Sequence, residues 1–241
     1  MVRHLDGLFA LDSGGETATG WLCAAPVEDE WRLSSSTGEV MTARSWSEAV
    51  EVVAAMLNAL ALDQCKAFAV HAGVVARAGR VVAYPATSGT GKSTLTAALL
   101  MQGWDYVSDE ALVVDERTRL VRPYARPLAL HAWTLARLGL PAASPDLIER
   151  LVLPDELGAR AVTASLPLTD VVLLQRGPAL SLLPARRGTV AAALLAQSFN
   201  HYRDPIASFR LVTELTPRLH VWDLTVGDPV EAATLLGRTL V

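Results

Sequence analysis

No other feature of this 241-residue chain restricts its folding as tightly as the run Ala86-Thr87-Ser88-Gly89-Thr90-Gly91-Lys92-Ser93-Thr94. It follows the phosphate-loop pattern of a small residue, four spacers and Gly-Lys-Ser/Thr, with Ala86 in place of the usual first glycine. Its flanks are of the required kind. Gly79 to Tyr84 is a short β-branched run that reads as a buried strand, and Leu95 to Met101 carries apolar residues at helical spacing before Gly103. Strand, glycine loop and helix in that order turn successive backbone N–H groups inward and aim a helix N-terminus at the same point. Ser88, Gly89, Thr90, Gly91, Lys92, Ser93 and Thr94 are the predicted nucleotide-binding residues. Lys92 can reach β- and γ-phosphates, and the Ser93 hydroxyl can ligate Mg²⁺. The chain has only two lysines, Lys66 and Lys92, against 19 arginines. A lysine stands here because a flexible point charge is wanted.

Composition narrows the class. With 51% hydrophobic and 19% charged residues the chain can form a sizeable core. No apolar run approaches the roughly 18 residues of a membrane span, and the first seven residues carry no apolar signal core. The expectation is a cytoplasmic protein without a membrane partner. Cys23 and Cys65 suggest neither a disulfide framework nor a zinc site. A net charge of −4, with no basic run beyond Arg186-Arg187, argues against nucleic acid as a partner. A phosphate loop in an acidic chain points to a nucleotide ligand. The residues leave oligomeric state open, a homo-oligomer included.

Taken in order, residues 1–15 read as a loose start, and Thr17–Ala25 and Glu30–Ser35 as short strands separated by Pro26. Ser45 and Glu48 form a capping box that opens a helix to about Leu62. Phe68–Ala76 is a predicted strand, turning at Arg77–Arg80 into the strand before the phosphate loop. Tyr106–Val114 reads as a strand interrupted by Asp109 and Glu110. Further strands are expected at Thr118–Tyr124, Pro127–Leu130, Leu168–Gln175, Leu180–Pro184 and Leu219–Val226, the fourth paired with the third across Arg176-Gly177-Pro178. Helices are expected at His131–Leu138, Asp146–Leu151, Thr189–Gln197, Ile206–Leu215 and after the Asp228-Pro229 cap. Hairpins beside the phosphate loop predict a mixed sheet. Domain organisation reads as a single domain over 1–241, with 1–65 as an N-terminal β/α extension packed on the core.

Three features line up as candidate chemistry: His71, 21 residues before Lys92; the loop itself; and Asp109-Glu110, with Asp109 17 residues after Lys92. Adjacent strand residues face opposite ways, so the two acids need different roles unless the strand bulges. The alternative for the acid pair is a solvated strand end, which its spacing from the loop disfavours. His71 alone reads equally well as a core histidine with a satisfied hydrogen bond.

His71-Ala72-Gly73, Ser88–Thr94 and Ser108-Asp109-Glu110 together resemble the catalytic core of the HPr kinase/phosphorylase family. The likeness is closer to the shorter HPr-kinase-related proteins found beside peptide-modification genes, including lasso-peptide tailoring kinases. It is sharp over residues 68–115 and vaguer from about 165 onward. It implies a P-loop kinase core with a mixed β-sheet, of the HPr kinase/PEP carboxykinase-like α/β type, using ATP and Mg²⁺. It implies that Asp109 is the catalytic base, that His71 lies beside the γ-phosphate or Asp109, that Lys92 holds phosphate, and that Ser93 and Glu110 serve the metal. Residues 1–65 stand where bifunctional relatives carry a separate domain. Leu174 stands where they carry a glutamate ahead of arginine-glycine, which weighs against the reverse phosphorylase reaction.

The function so implied is an ATP-dependent phosphotransferase acting on a hydroxyl, a serine of a peptide or protein substrate. Two other readings share the scaffold: a small-metabolite hydroxyl kinase, and a non-catalytic nucleotide-dependent peptide-binding switch. In the C-terminal half, Arg176, His201, Arg203, Arg210 and Arg218 are candidates for holding phosphate or substrate. Ser198–Pro205, polar and aromatic between two helices, is the candidate substrate-facing loop.

Overall fold

The computed structural model describes residues 21–143 and 148–241. The expectations for residues 1–15 and for the first part of the Thr17–Ala25 strand lie outside them. Three short strands come first: β1 (Leu22–Val27), β2 (Glu30–Ser35) and β3 (Val40–Ala43), paired antiparallel in that order. Pro26 lies within β1 instead of ending it, because β1 is an edge strand where a missing N–H costs no ladder bond. The sheet packs on α1 (Trp46–Gln64) through Leu33, Ala43, Ala49, Val53 and Met56. Ser45 caps the helix by accepting from the Glu48 N–H at 3.2 Å, while the Glu48 carboxylate accepts from the Arg44 N–H at 2.7 Å.

Near its C-terminus α1 meets the rest of the chain. Leu62 packs with Ala67, Ala69, Ala111 and Val113, and Asn58 accepts a 2.7 Å bond from the Tyr124 hydroxyl. The expected hairpin follows. β4 (Phe68–Arg77) and β5 (Arg80–Pro85) are joined by Ala78 (φ 48°) and Gly79 (φ 79°), both left-handed, as a tight two-residue turn requires. The phosphate loop leads from β5 into α2 (Lys92–Met101). Then come β6 (Asp105–Ser108), β7 (Ala111–Val114), β8 (Leu120–Arg122) and β9 (Leu128–His131). After α3 (Ala132–Leu138) come β10 (Glu149–Val152), β11 (Leu166–Pro167), β12 (Asp170–Arg176) and β13 (Ser181–Pro184). The chain closes with α4 (Arg187–Ala196), α5 (Pro205–Leu215), β14 (His220–Val226) and α6 (Pro229–Leu240).

The fold is mixed α/β with a mixed sheet. Nine strands run β11-β8-β7-β4-β5-β12-β14-β13, with β6 also paired to β4. The β5–β12 and β12–β14 pairs are parallel, and the others are antiparallel. Alternate residues of the central strands divide between two cores. Val75, Val82 and Tyr84 join Leu95 and Leu99 of α2 and Leu236 of α6 on one face. Val74, Ala76, Val81 and Ala83 join Val190 and Leu194 of α4 and Leu211 and Val212 of α5 on the other.

Two expectations need correction. The region predicted as a helix over Asp146–Leu151 is strand β10 from Glu149, residues 146 and 147 lying outside the described chain. The exposed edge of β9 captures it, with Leu151 opposite Ala129. The 180–184 strand does not pair with the 168–175 strand. β14 inserts between them, parallel to β12 and antiparallel to β13, because its seven residues match the full length of β12.

Among the described glycines, Gly73 leaves the least room for a side chain. A Cβ there would fall 2.1 Å from Cε2 of Tyr84 and 2.7 Å from Cζ. Gly73→Ala is expected to lower stability by at least ~1–3 kcal/mol, since a buried ring cannot step aside. Thermal melts of this variant alone and in a Tyr84→Leu background provide the check, and the loss should shrink in the second.

A candidate active site at the phosphate loop

Two glycines shape the loop. Gly89 (φ 77°) and Gly91 (φ 107°) hold left-handed conformations that a side chain would strain. Gly91 is the N-cap of α2 and supplies no side chain, so no side-chain oxygen occupies the N–H groups of the first turn. Lys92 is buried, and its Nζ donates to the carbonyls of Ala86 at 2.7 Å and Thr87 at 3.1 Å. Burial lowers its pKa, while the neighbouring charges of Asp109 and Glu110 act in the opposite direction.

Asp109 and Glu110 lie in a bend between β6 and β7, both of which pair with β4. The buried Ser108 hydroxyl secures the bend by accepting from the N–H groups of Glu110 at 3.2 Å and Ala111 at 2.9 Å. The break frees the two acids from strand alternation, so both line one cleft. Their surroundings differ sharply. Asp109 is 5% exposed. Its Oδ1 is 2.7 Å from Thr96 Oγ1, which is 2.6 Å from the Tyr84 hydroxyl. Thr96 has a single proton to give, so with the carboxylate ionised Tyr84 donates to Thr96 and Thr96 to Asp109. The nearby Ser93 hydroxyl also favours the charged form of this carboxyl. Burial nevertheless wins over these hydroxyls and over Arg126, and pushes the Asp109 pKa up to about 6.

Glu110 is the opposite case. Burial pushes its pKa up, but His71 and Arg126 together outweigh that and leave it below the usual carboxylate range. Arg126 Nη1 is 2.9 Å from Oε2, and His71 Nδ1 is 3.5 Å from Oε1 and 3.2 Å from the Glu110 backbone carbonyl. The His71 ring also meets Phe199 edge-on at 5.5 Å. His71 is therefore a half-buried histidine oriented by Glu110, beside the cleft rather than inside a core.

One cleft of about 790 Å³ gathers these parts. It is lined by His71, Ser88 to Thr94, Asp109 and Glu110, every residue that the sequence singled out as a site candidate around the loop. Of the five C-terminal candidates only Arg176 reaches it. Its guanidinium donates to the carbonyls of Gly89 at 2.8 Å and Thr90 at 3.3 Å, so it braces the loop from the end of β12. His201, Arg203, Arg210 and Arg218 do not line the cleft. Arg203 bonds to Asp63 and to the Cys65 carbonyl.

The segment Ser198–Pro205 proves to be a staple. The buried Asn200 side chain bonds to the Ala69 N–H and to the carbonyls of Cys65 and Ala67, and Ser198 Oγ bonds to the Ala69 carbonyl. These bonds fix the start of β4, which carries His71.

Sequence reasoning passed over Arg126, Thr96 and Tyr84. In a chain of 19 arginines Arg126 has no distinguishing neighbours. Thr96 had a signal, since it stands one helical turn after Lys92 and so faces the same way.

Among the described residues no group of three or more His, Cys, Asp or Glu side chains could hold a metal alone. The donors Ser93, Asp109 and Glu110 suit a hard ion that keeps several waters and is held mainly through phosphate, which is the habit of Mg²⁺. No helix among the described residues is long and apolar enough to cross a membrane. No protein-family model and no curated protein matches this chain.

The raised Asp109 pKa has a consequence for stability. The folded state prefers the protonated carboxyl, so the Asp109 contribution is most favourable below about pH 4 and is lost as pH rises toward and past 6. Asp109→Asn should therefore stabilise the fold at neutral pH, on the order of 2–3 kcal/mol at most. Melting temperatures of both proteins from pH 4 to 8 provide the measurement. The advantage of the variant should grow between pH 4 and about 6.5 and then level off.

Proposed function

We propose that the chain is an ATP-dependent kinase of the HPr-kinase-related type, transferring a γ-phosphoryl group to a hydroxyl, a serine of a peptide or protein. The observation that carries this reading is the placement of Asp109 beside Lys92 and Ser93 in the loop cleft. Phosphoryl transfer needs little covalent chemistry from a protein. It needs the phosphates fixed, the developing charge balanced and the nucleophile aligned.

Each part has a candidate. The first-turn amides of α2, with Gly89 and Gly91 shaping the loop, hold the β- and γ-phosphates. Lys92 moves from the carbonyls of Ala86 and Thr87 to the phosphate oxygens. Mg²⁺, bound by Ser93 and phosphate with Glu110 acting through water, would neutralise phosphate charge and orient the γ-group. The acceptor oxygen attacks phosphorus as the bond to the ADP oxygen breaks, and the hydroxyl proton passes to Asp109. A carboxyl whose pKa is near 6 is ionised at pH 7 yet basic enough to share that proton. Thr96 and Tyr84 hold it in place from behind. His71 and Arg126 hold Glu110. An ATP-dependent activity goes with the cytoplasmic location expected from the sequence.

The test is incubation of the purified protein with ATP, Mg²⁺ and candidate peptides, alongside free serine and small alcohols, read by mass spectrometry. Peptide phosphorylation is expected, with free serine a poor substrate because remote contacts position the reacting group. Turnover of a small alcohol with no peptide modified would replace this reading with that of a metabolite kinase. Nucleotide binding without any transfer would leave a binding switch.

Two variants report on the roles. Lys92→Ala should remain folded and lose roughly a hundredfold or more of transfer. Asp109→Asn should lose about 10² to 10⁴-fold in turnover while nucleotide affinity changes far less. If Asp109→Asn abolishes nucleotide binding instead, the two acids exchange roles. In the wild type, kcat/KM should fall as pH drops below about 6, where Asp109 takes up its proton.

A further inference from the structure

Trp133 is the one tryptophan in the cleft wall, and it is 63% exposed. A large aromatic face left open inside a polar cleft is unusual, because its burial would be favourable. Its location identifies what covers it. The wall that leads to it begins beside the acids, where Arg126 pairs with Glu110. It continues along β9, where Leu128 and Leu130 point into the core while Ala129 and His131 face the cleft. At about 3.3 Å per extended residue, Arg126 and His131 are on the order of 15 Å apart. Trp133 lies two residues further, in the first turn of α3.

A hydroxyl–hydroxyl bond of 2.8 Å between Thr94 and Thr134 holds α3 against the loop helix. Trp133 is thereby fixed next to the residue that follows Lys92-Ser93. Val226, Gly227 and Pro229, from the turn between β14 and α6, line the same cleft, and Arg137 of α3 pairs with Asp228 of that turn.

Lys92, Asp109 and Glu110 are the groups in the cleft that serve β- and γ-phosphates and the acceptor. A nucleoside cannot take the place of the acceptor, so it must leave the phosphates along another part of the wall. Trp133, tied to the loop helix through Thr134 and Thr94, gives that wall an open indole, and Val226 and Pro229 line the same cleft.

We propose that Trp133 is the stacking platform for the nucleobase of the nucleoside triphosphate held by the loop. The proposal rests on the nucleotide reading of the loop and adds the site that reads the base. Stacking on an aromatic ring accepts any base through its π face and is strongest for the larger ones. The pocket therefore favours purine nucleotides without discriminating sharply between them.

The experiment is calorimetric titration of the full chain with MgATP and, separately, with magnesium tripolyphosphate, which has the phosphates but no base. Wild type, Trp133→Ala and Trp133→Phe are compared. Trp133 is exposed, so the substitutions leave the core intact. Trp133→Ala should weaken ATP roughly ten- to a hundredfold, Trp133→Phe by less, and tripolyphosphate should bind all three equally. Unchanged ATP affinity in Trp133→Ala, with wild-type binding intact, overturns the platform and leaves the nucleotide reading standing. Equal loss of both ligands also overturns it, and makes Trp133 a support for the loop. Failure of the wild type to bind either ligand overturns the nucleotide reading itself, and the platform with it.

Discussion

A carboxyl group held out of water beside a lysine is the interaction around which this structure is arranged. Left alone, Asp109 would be expensive to bury. The fold supplies its partners from two elements: Thr96 and the nearby Ser93 from α2, and Tyr84 behind Thr96 from β5. Tyr84 can take that position only because Gly73 on the neighbouring strand has no side chain. The glycine two residues after His71 thus acts on the acid through a ring and a hydroxyl, without touching the cleft.

The two adjacent acids show how environment divides labour between identical chemical groups. Asp109 meets hydroxyls and apolar walls and is pushed toward neutrality. Glu110 meets a guanidinium and an imidazole and is kept charged. The division depends on the bend at 109–110. A continuous strand would send one carboxylate to each face of the sheet and bury one of them against the α4 and α5 core.

The parts of the site that were legible in the sequence were those governed by short-range rules. The loop, the 77–80 turn and the Ser45 and Asp228 caps depend on residues a few positions apart, and the structure contains them all. The mixed sheet followed from the same reasoning, since a two-residue turn beside the loop forces an antiparallel neighbour. What was not legible depends on partners distant in sequence. Residues 149–152 form a strand because β9 offers an edge, which nothing in their own order announces. Arg126 is a site residue because the chain folds Glu110 onto it, and the buried bonds by which Asn200 ties Ser198–Pro205 to residues 65–69 cannot be seen in a linear pattern. The acid pair falls between these cases. Its interruption of a strand pattern was visible, but not that Ser108 would turn it into a bend.

The parallel centre of the sheet sets an order in which the chain can be finished. β5, the strand that delivers the phosphate loop, gains β4 as a neighbour after a two-residue turn, but its other edge waits for β12, with Val82 opposite Asp170. During synthesis that edge, carrying Val81, Val82 and Ala83, stays unpaired while almost ninety further residues emerge, and β12 in turn waits for β14. An exposed apolar edge beside a glycine-rich loop is a template for pairing with other chains. Fragments that stop short of β12 will therefore carry an intact loop sequence on a sheet that recruits its neighbours, and nascent chains depend on reaching residue 170 before they meet one another.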